Sequence, residues 1–402
     1  MGNEIELSSV ITDIAAGPFG SNLKVECFVP YGFPIIDGAN LKGYKVTDNL
    51  TKFVTEEKAR SLSRSIAHRG DVVVTISGTL GQIAYIPDDS IFEEYLCSQR
   101  QFRVSFDTSQ VYVPYLVFYF HTFEGQNKIL SFANQTGVPA LSQPLKNFKK
   151  IRLCLPDYRT QKKIASIIEA FNDKIECNQK INDNLQQQVM TRFRKMFVDT
   201  NNDNRHECRA DEYFDISIGK TPPRKEPQWF SMNPVDCVWV SISDMGSCGL
   251  YIGDSSEYLT HESIERFNVK IVPDNTVILS FKLTVGRVAI TDGDMTTNEA
   301  IAHFKTDKTE INEYLYCYLK EFNYQTMGST SSIATAVNSK IIKAMPFIVP
   351  ADDELVEFHA FAAPMFAMIK ANQKEAVRLT ELRDSLLPQL MSGEIDVSDI
   401  QL

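Results

Sequence analysis

The sequence predicts an α+β fold: two globular blocks of mixed α/β structure, each followed by a long helix, with the two helices pairing as an antiparallel coiled coil. Two observations carry this prediction. Residues 155–197 return without a gap as residues 349–391, an offset of 194, so the chain consists of two similar halves. Apolar residues in both copies recur at alternating steps of four and three, which is the spacing that packs one helix against another.

The apolar stripe of each copy, called the seam below, runs along the predicted helix. The first seam comprises Ile164, Ile168, Phe171, Ile175, Asn178, Asn182, Leu185, Val189, Arg192 and Met196. The second comprises Phe358, Ala362, Met365, Ile369, Asn372, Ala376, Leu379, Arg383, Leu386 and Leu390. Asn178 and Asn372 occupy the same seam position, where a buried amide costs stability but fixes the register of the pair. Because proline removes a backbone hydrogen bond, we expect Pro364 to kink the second helix or delay its start.

A proline opens each helix and sets the predicted boundaries. Pro156 and Pro350 each follow an alternating, strand-like run and precede acidic residues suited to a helix N-terminus. We therefore expect four segments: block one at residues 1–155, the first helix at 156–200, block two at 201–349 and the second helix at 350–402.

The two blocks have diverged more than the helices, but they share landmarks in the same order. Each begins with a loop rich in glycine and proline, Gly17-Pro18-Phe19-Gly20-Ser21 in block one and Gly219-Lys220-Thr221-Pro222 in block two. A strand-like run ending in a polar turn follows. A β-hairpin with a variable tip comes next, at residues 70–84 and 273–289.

Composition and charge restrict the class of protein. The richest apolar run, residues 111–120, is too short for a bilayer, and the N-terminus lacks a signal-peptide pattern, so we expect a cytoplasmic protein. The eight cysteines are scattered without metal-ligand spacing, which favours reduced structural thiols. The net charge is −10, with the acids concentrated in block two and the second helix. The bulk surface is therefore unsuited to binding phosphates, and nucleic-acid binding would require local basic loops and a partner.

Three segments resemble catalytic motifs but lack an essential residue. Gly219-Lys220-Thr221 imitates the end of a phosphate-binding loop, yet Phe214 stands where its first glycine is required. Ser280 stands where a nuclease core would need a second metal-binding carboxylate. His206-Glu207-Cys208 is too compact for a triad and reads as a polar cluster at a helix end. We therefore expect a non-catalytic chain with no metal and no cofactor.

The order of parts, two variable blocks each followed by a similar long helix, resembles the specificity subunit of Type I restriction-modification enzymes. The resemblance covers nearly the whole chain, and its most specific marks are the two repeated helices. It implies that each block is a target recognition domain that reads one half of a split double-stranded DNA sequence. The helix pair would set the gap and bind the modification subunits, two of them, which carry the methyltransferase activity; restriction subunits would join through the complex. The second copy departs from the pattern, because Gln161 of the first has Leu355 as its counterpart.

The loops of the two blocks supply the candidate DNA contacts. Lysines and arginines suit phosphates or guanine, and amides suit adenine edges. The cations are Lys24, Lys42, Lys146, Lys220, Arg224, Lys225, Lys282, Arg287 and Lys340; the amides are Asn40, Gln82, Gln99 and Asn298. The remaining loop candidates are Gly17, Phe19, Gly20, Ser21, Ser77, Gly78, Thr79, Thr221, Ser243 and Thr284. Taken singly, each loop is as well explained by an ordinary turn, and each polar side chain is better explained by a solvated surface group; only the recurrence in both blocks favours DNA.

Two other classes of protein remain open at the level of sequence. The same architecture would suit a non-catalytic, two-headed coiled-coil scaffold that binds proteins. A diverged restriction enzyme is a weaker alternative. Salt-dependent, sequence-selective DNA binding distinguishes a specificity subunit from the scaffold, and metal-dependent cleavage by the chain alone would indicate the enzyme.

Overall fold

The computed structural model describes residues 3–134, 137–327 and 338–400. Its internal contacts divide the chain into two units, one formed by Met1–Asp173 and Leu379–Leu402 and the other by Lys174–Arg378. Each unit therefore holds one globular block and a part of both long helices. Among the residues described, no helix combines the length and apolarity needed to cross a bilayer.

The first unit is built on two main sheets. Its strands are β1 (Asn3–Glu6), β2 (Ile11–Ala16), β3 (Phe28–Val29), β4 (Phe33–Ile36), β5 (Phe53–Val54), β6 (Ile66–His68), β7 (Val72–Thr75), β8 (Ile83–Tyr85), β9 (Glu94–Cys97), β10 (Gln101–Phe106), β11 (Ala133–Asn134), β12 (Ala140–Leu141) and β13 (Arg152–Leu155). One sheet is antiparallel, with order β2-β10-β7-β8; the other has order β3-β5-β4-β9-β6, with β4 and β9 parallel. The short pairs β1-β13 and β11-β12 complete the unit.

The helices of the first unit are α1 (Glu56–Ser61), α2 (Val113–His121), α3 (Phe123–Leu130), α4 (Pro144–Lys149) and the start of α5 (Tyr158–Phe193). Helix α2 has an almost wholly apolar sequence, and it is accordingly buried on nearly all sides. Its Leu116 and Phe120 pack in the core of the antiparallel sheet, while Tyr115 and Phe118 pack with Ile164 of α5. Helix α2 thus joins the sheet to the long helix.

The second unit repeats this plan. Its strands are β14 (His206–Arg209), β15 (Asp215–Ile218), β16 (Phe230–Ser231), β17 (Cys237–Val240), β18 (Tyr251–Ile252), β19 (Tyr258–Leu259), β20 (Val277–Ser280), β21 (Val288–Thr291), β22 (Thr296–Thr297), β23 (Ile301–Lys305) and β24 (Pro346–Val349). Its helices are α6 (Ala210–Tyr213), α7 (Asp244–Ser247), α8 (His261–Phe267), α9 (Asn312–Glu321), α10 (Ser339–Lys343) and most of α11 (Asp352–Ser392). The sheet β15-β23-β20-β21-β18 corresponds to β2-β10-β7-β8, and the parallel pair β17 and β22 corresponds to β4 and β9.

Both predicted hairpins are confirmed, since β7 pairs with β8 and β20 with β21. The interpretation of His206-Glu207-Cys208 as the end of a helix is wrong. These residues lie on β14, which pairs with β24, the strand that leads into the second long helix. The chain leaves the first helix after a π-helical turn at Arg194–Val198, close to the predicted end at residue 200, and then forms this strand.

The antiparallel helix pair is confirmed within each unit. In the second unit, Asn182 and Asn372 share a hydrogen bond of 2.9 Å, and Asn178 donates to Glu375 at 2.8 Å, so residue numbers rise along α5 as they fall along α11. Every seam residue is buried or half-buried. Asn178 is 1% exposed, and its Oδ1 atom has no hydrogen-bond partner among the residues described. The buried amides therefore interrupt the apolar seam; in this register Asn182 pairs with Asn372, and Asn178 is only partly satisfied.

Of the two effects predicted for Pro364, a kink or a delayed start, the delayed start is wrong. Helix α11 runs through this residue from Asp352 to Ser392. Pro364 and Ala360, the residue whose carbonyl loses its helical hydrogen bond, both lie on the exposed face of the helix. Water can satisfy that carbonyl, so the proline is tolerated.

The two long helices are fixed at their starts by different chemistry. Gln161, fully buried, accepts the Tyr112 N–H at 2.9 Å and donates to the carbonyl of Gln110 at 2.9 Å. Leu355 cannot make such bonds. Instead Glu354 accepts two hydrogen bonds from Arg205, at 2.8 and 2.6 Å, and Arg205 also donates to the carbonyl of Met196 at the end of the first helix. An ion pair thus takes the place of the neutral amide.

Replacing Glu354 by Gln should destabilise the chain at neutral pH by about 2 kcal/mol, because the substitution leaves the Arg205 charge largely buried without its partner. The hydrogen bond from Arg205 lowers the pKa of Glu354 to about 2. The stabilisation is therefore fully present above the ordinary carboxyl pKa of about 4.5 and is lost as the pH falls from there towards about 2. Urea unfolding of the full chain at pH 7 and pH 3 measures both effects.

Glu357→Gln is the matched control, since Glu357 lies one turn further along α11 and pairs with Arg192 at a more exposed position. We expect less than about 1 kcal/mol from that substitution. Equal effects of the two variants at pH 7 would contradict the role given to Glu354.

Candidate nucleic-acid interface

Four segments of the first unit converge on one cleft. They are the loop at residues 17–24 after β2, the turn at 37–41 after β4, the hairpin tip at 76–82 and the turn at 98–101 between β9 and β10. The cleft has a volume of about 620 Å³, and among its lining residues are the predicted contacts Ser77, Gly78, Thr79, Gln82 and Gln99. Residues that are far apart in sequence therefore share one surface.

Gly17 determines how the first of these segments enters the cleft. Its N–H donates to the carbonyl of Gln101 at 2.8 Å, while the N–H of Ser98 donates to the carbonyl of Ile36 at 2.9 Å. The backbone of the 98–101 turn therefore crosses directly over Gly17. A Cβ atom at this position would clash with the carbonyl of Ser98, so only glycine fits.

The second unit has the same crossing at Gly219. Its N–H donates to the carbonyl of Ile301 at 3.1 Å, and the N–H of Asn298 donates to the carbonyl of Val240 at 3.0 Å. A Cβ atom would clash with Thr297 and the carbonyl of Asn298. The strand registers thus align Gly17 with Gly219 and Ser98 with Asn298.

Two predicted base contacts hold the hairpin tips instead. Gln82 donates from Nε2 to the carbonyl of Gly38 at 3.0 Å and accepts the Thr75 hydroxyl at 3.0 Å. Arg287, its counterpart in the second unit, donates to the carbonyl of Ile242. Each side chain links the hairpin tip to the turn that follows a strand of the other sheet in the same unit, β4 in the first and β17 in the second, and so positions the tip.

Asn40 and Asn298 also have structural partners. Asn40 is 4% exposed, accepts the Asp37 N–H at 3.1 Å and donates to the carbonyls of Thr47 and Asn49. Asn298 accepts the N–H of Ala300 within its own turn at 3.0 Å. Asn40 is therefore a structural residue of its turn and not the adenine contact that was predicted, because its side chain is buried and its amide is already bonded.

The cations of the second block divide into occupied and available groups. Arg224 forms two hydrogen bonds with Glu257, at 2.9 and 2.8 Å, and stacks over Phe230 and Trp239. Lys220 donates to the carbonyl of Phe267 at 2.5 Å. Within the described part of the chain, the following exposed lysines of both blocks form no ion pair: Lys24, Lys42, Lys146, Lys225, Lys282 and Lys340.

Several uncharged candidates are solvent-exposed at the loop tips. Phe19 is 83% exposed, and Gly20, Ser21, Thr79, Ser243 and Thr284 are exposed as well. Gln99 is exposed beside Gly20 and, among the residues described, makes no side-chain hydrogen bond. Thr221 is half-buried and donates its hydroxyl to Glu299. Gln99 is thus the predicted amide best placed to meet a ligand.

Sequence reasoning missed Arg100 and Glu299. Arg100 lines the first cleft, is exposed and forms no ion pair with another described residue. Glu299 is the counterpart of Gln99 by strand register. Burial raises the pKa of Glu299, but the hydrogen bond from the Thr221 hydroxyl and the charges of Lys282 and Arg224 outweigh this effect, so the pKa is lower than that of an ordinary glutamate. The signal lay in the polar runs 97–101 and 297–299, each of which links two strands.

Among the residues described, no group of three or more histidine, cysteine, aspartate or glutamate side chains is arranged so that it could hold a metal ion. The two units are similar, sheet-based structures, and each presents one cluster of loops built on equivalent strand registers.

The chain belongs to the family of the Type I restriction modification DNA specificity domain, and the sequence model of that family matches residues 27–187 and 204–381. The family assigns it to DNA target recognition in a restriction-modification system, as a specificity subunit without a catalytic role. The scaffold alternative is not favoured.

Relatives from two organisms agree with this assignment. The chain is 24% identical over 377 residues to the Type I restriction enzyme MjaIX specificity subunit of Methanocaldococcus jannaschii, covering 86% of this chain and 82% of that protein. It is 23% identical over 321 residues to the HindI specificity subunit of Haemophilus influenzae, covering 61% of this chain and 69% of that protein. The crystal structure of a Type I restriction-modification S subunit from M. genitalium shares the fold, with a TM-score of 0.56 at 14% identity over 97% of this chain and 96% of that chain.

Gly17→Ala should destabilise the full chain by about 2–4 kcal/mol, because the added methyl group must displace the backbone of the 98–101 turn. Gly43→Ala is the control, since a Cβ atom there meets nothing within 4 Å. We expect the control to change the free energy of unfolding by less than about 0.5 kcal/mol. Urea unfolding of both variants measures the difference, and equal stabilities would show that the crossing is not tight.

Proposed function

We propose that this chain is the sequence-specific subunit of a Type I restriction-modification complex and that blocks 1–155 and 201–349 each read one half of a bipartite double-stranded DNA target. One observation carries the proposal: the same loop cluster is built twice on equivalent strand registers, but with different side chains at its tips. Gln99 has Glu299 as its counterpart, and Gly78 has Leu283. Two similar domains that carry different side chains on their loops are suited to reading two half-sites of different sequence.

The charges support a role within a complex. The net charge is −10, and Arg224 and Lys220 are occupied by partners within the chain. Modification subunits, two of them, would supply further phosphate contacts and bind along the long helices, and restriction subunits would join through the complex in the cytoplasm. Helix α11 exposes apolar side chains that suit such binding, with Val356 69% and Val377 60% exposed.

Gln99→Ala and Glu299→Ala test the division of the target. A good base contact contributes about 1–3 kcal/mol of discrimination, so each substitution should relax one position of the recognised sequence. An amide suits adenine, and a carboxylate accepts from the amino group of cytosine. The measurement is genome-wide methylation mapping in cells that express each variant with its modification subunits.

The two variants control for each other, because the residues are counterparts in different blocks. Gln99→Ala should relax one half-site and Glu299→Ala the other. Relaxation of the same half-site by both would refute independent reading. If the unaltered complex methylates DNA without sequence preference, the scaffold interpretation gains support.

We further propose that the helix pair sets the spacer between the half-sites. Removing one heptad from each helix, residues 174–180 and 372–378, keeps the seam in phase and shortens each helix by about 10 Å at ~1.5 Å per residue. DNA rises by about 3.4 Å per base pair. The preferred spacer should therefore shorten by up to about three base pairs, or methylation should cease.

Methylation assays on duplexes with a graded series of spacers measure the preferred length. Removing a heptad from only one helix is the control, because the seams then no longer match and assembly itself should fail. An unchanged spacer with full activity in the double deletion would show that the helices are a passive joint.

A further inference from the structure

Leu283 stands at the tip of the β20–β21 hairpin in an unfavourable state on two counts. Its side chain is 99% exposed, and its φ is 60°. The N–H of Thr284 donates to the carbonyl of Lys282 at 2.7 Å, which closes a three-residue turn with Leu283 at its centre. A positive φ at the centre of such a turn is strained for any residue with a Cβ atom.

The chain itself contains the residue that would relieve this strain. The counterpart of Leu283 in the first hairpin is Gly78, with a φ of 96°. Glycine adopts positive φ without a steric penalty and exposes no apolar side chain. Leucine at this position therefore reduces the stability of the isolated chain, and residues held in strain are concentrated at sites of function.

The position of Leu283 is fixed by the residues around it. The hydroxyl of Ser280, a fully buried residue, donates to the carbonyl of Thr284 at 2.6 Å and accepts the N–H of Arg287 at 3.1 Å. The N–H of Gly286 donates to the carbonyl of Ser280 at 3.0 Å. These bonds hold the tip closed, so that the leucine is held out in solvent by a built turn.

The neighbours of Leu283 identify the kind of ligand. Lys282 is exposed and, within the described residues, forms no ion pair, and its charge acts on Glu299 of the adjoining turn. A cation beside a single projecting apolar side chain suits nucleic acid, because the cation meets a phosphate while the apolar group meets a base.

We propose that Leu283 makes an apolar contact with a base of the second half-site, either on the methyl group of a thymine or on the face of a base at an opened step. This inference rests on the proposed function. Leu283 is thereby a specificity-determining residue of the second block, and its strain is retained because the contact requires it.

Leu283→Gly separates this role from a structural one. If Leu283 stabilised the fold, its substitution would lower the stability of the chain. We expect the opposite, namely that the variant chain unfolds at a higher urea concentration. Assembled with its modification subunits, the variant should bind target duplex about tenfold more weakly. Val235→Gly is the matched control, since Val235 is 82% exposed in the same unit and lies outside the loop cluster; it should leave DNA binding unchanged.

Two DNA probes distinguish the sources of the contact. Replacing thymines of the second half-site by deoxyuridine, one at a time, should weaken binding by the unaltered complex but not by the variant if the methyl group is the partner. If a base step is opened, the fluorescence of 2-aminopurine placed in the half-site should increase when the unaltered complex binds but not when the Leu283→Gly complex binds. Leu283→Gly that binds as tightly as the unaltered complex, or that unfolds at a lower urea concentration, would overturn the proposal.

The proposed function fails separately from this inference. If the unaltered complex does not discriminate its target from a scrambled duplex, DNA reading itself is refuted and the inference falls with it. If the unaltered complex discriminates and Leu283→Gly discriminates equally, only the role of Leu283 is refuted.

Discussion

The crossing of two backbone segments at Gly17, and again at Gly219, is the constraint on which the loop clusters depend. At each crossing the loop after the first sheet strand passes beneath the turn that joins the two sheets. The two backbone segments are in direct contact there, and this close approach is possible only because glycine has no side chain. The hairpin tip and the remaining turn are then placed by hydrogen bonds from Gln82 and Arg287.

This arrangement separates the scaffold of the interface from its surface. The bonds that set the crossing run between backbone groups. Gln99, Arg100 and Lys282 are exposed and differ from their counterparts in the other unit. A frame that does not depend on its surface residues can present different chemistry without being rebuilt.

The repeat made the architecture predictable from the sequence. Seam spacing predicted both long helices and their antiparallel pairing, and turn residues predicted both hairpins, because these features depend on local periodicity. The delayed start predicted from Pro364 was wrong because the effect of a proline depends on which face of the helix it occupies, and that face is set by tertiary packing.

The interface was only partly predictable, for a related reason. Asn40 and Arg287 have side chains suited to bases, but residue type does not reveal whether a polar group is already bonded within the protein. Glu299 is recognisable as the counterpart of Gln99 only through strand register, since the intervening loops differ in length. The positive φ of Leu283 has no signature in a leucine at all.

The unequal fastening of the two long helices gives the two halves different chemical tolerances. The start of the first helix is held by the uncharged amide of Gln161, whereas the start of the second depends on the charge of Glu354. Protonation below about pH 4.5 therefore weakens this fastening of the second helix, while the hydrogen bonds of Gln161 do not titrate. The two starts can then be loosened separately, one by acid and the other only by replacing the amide itself.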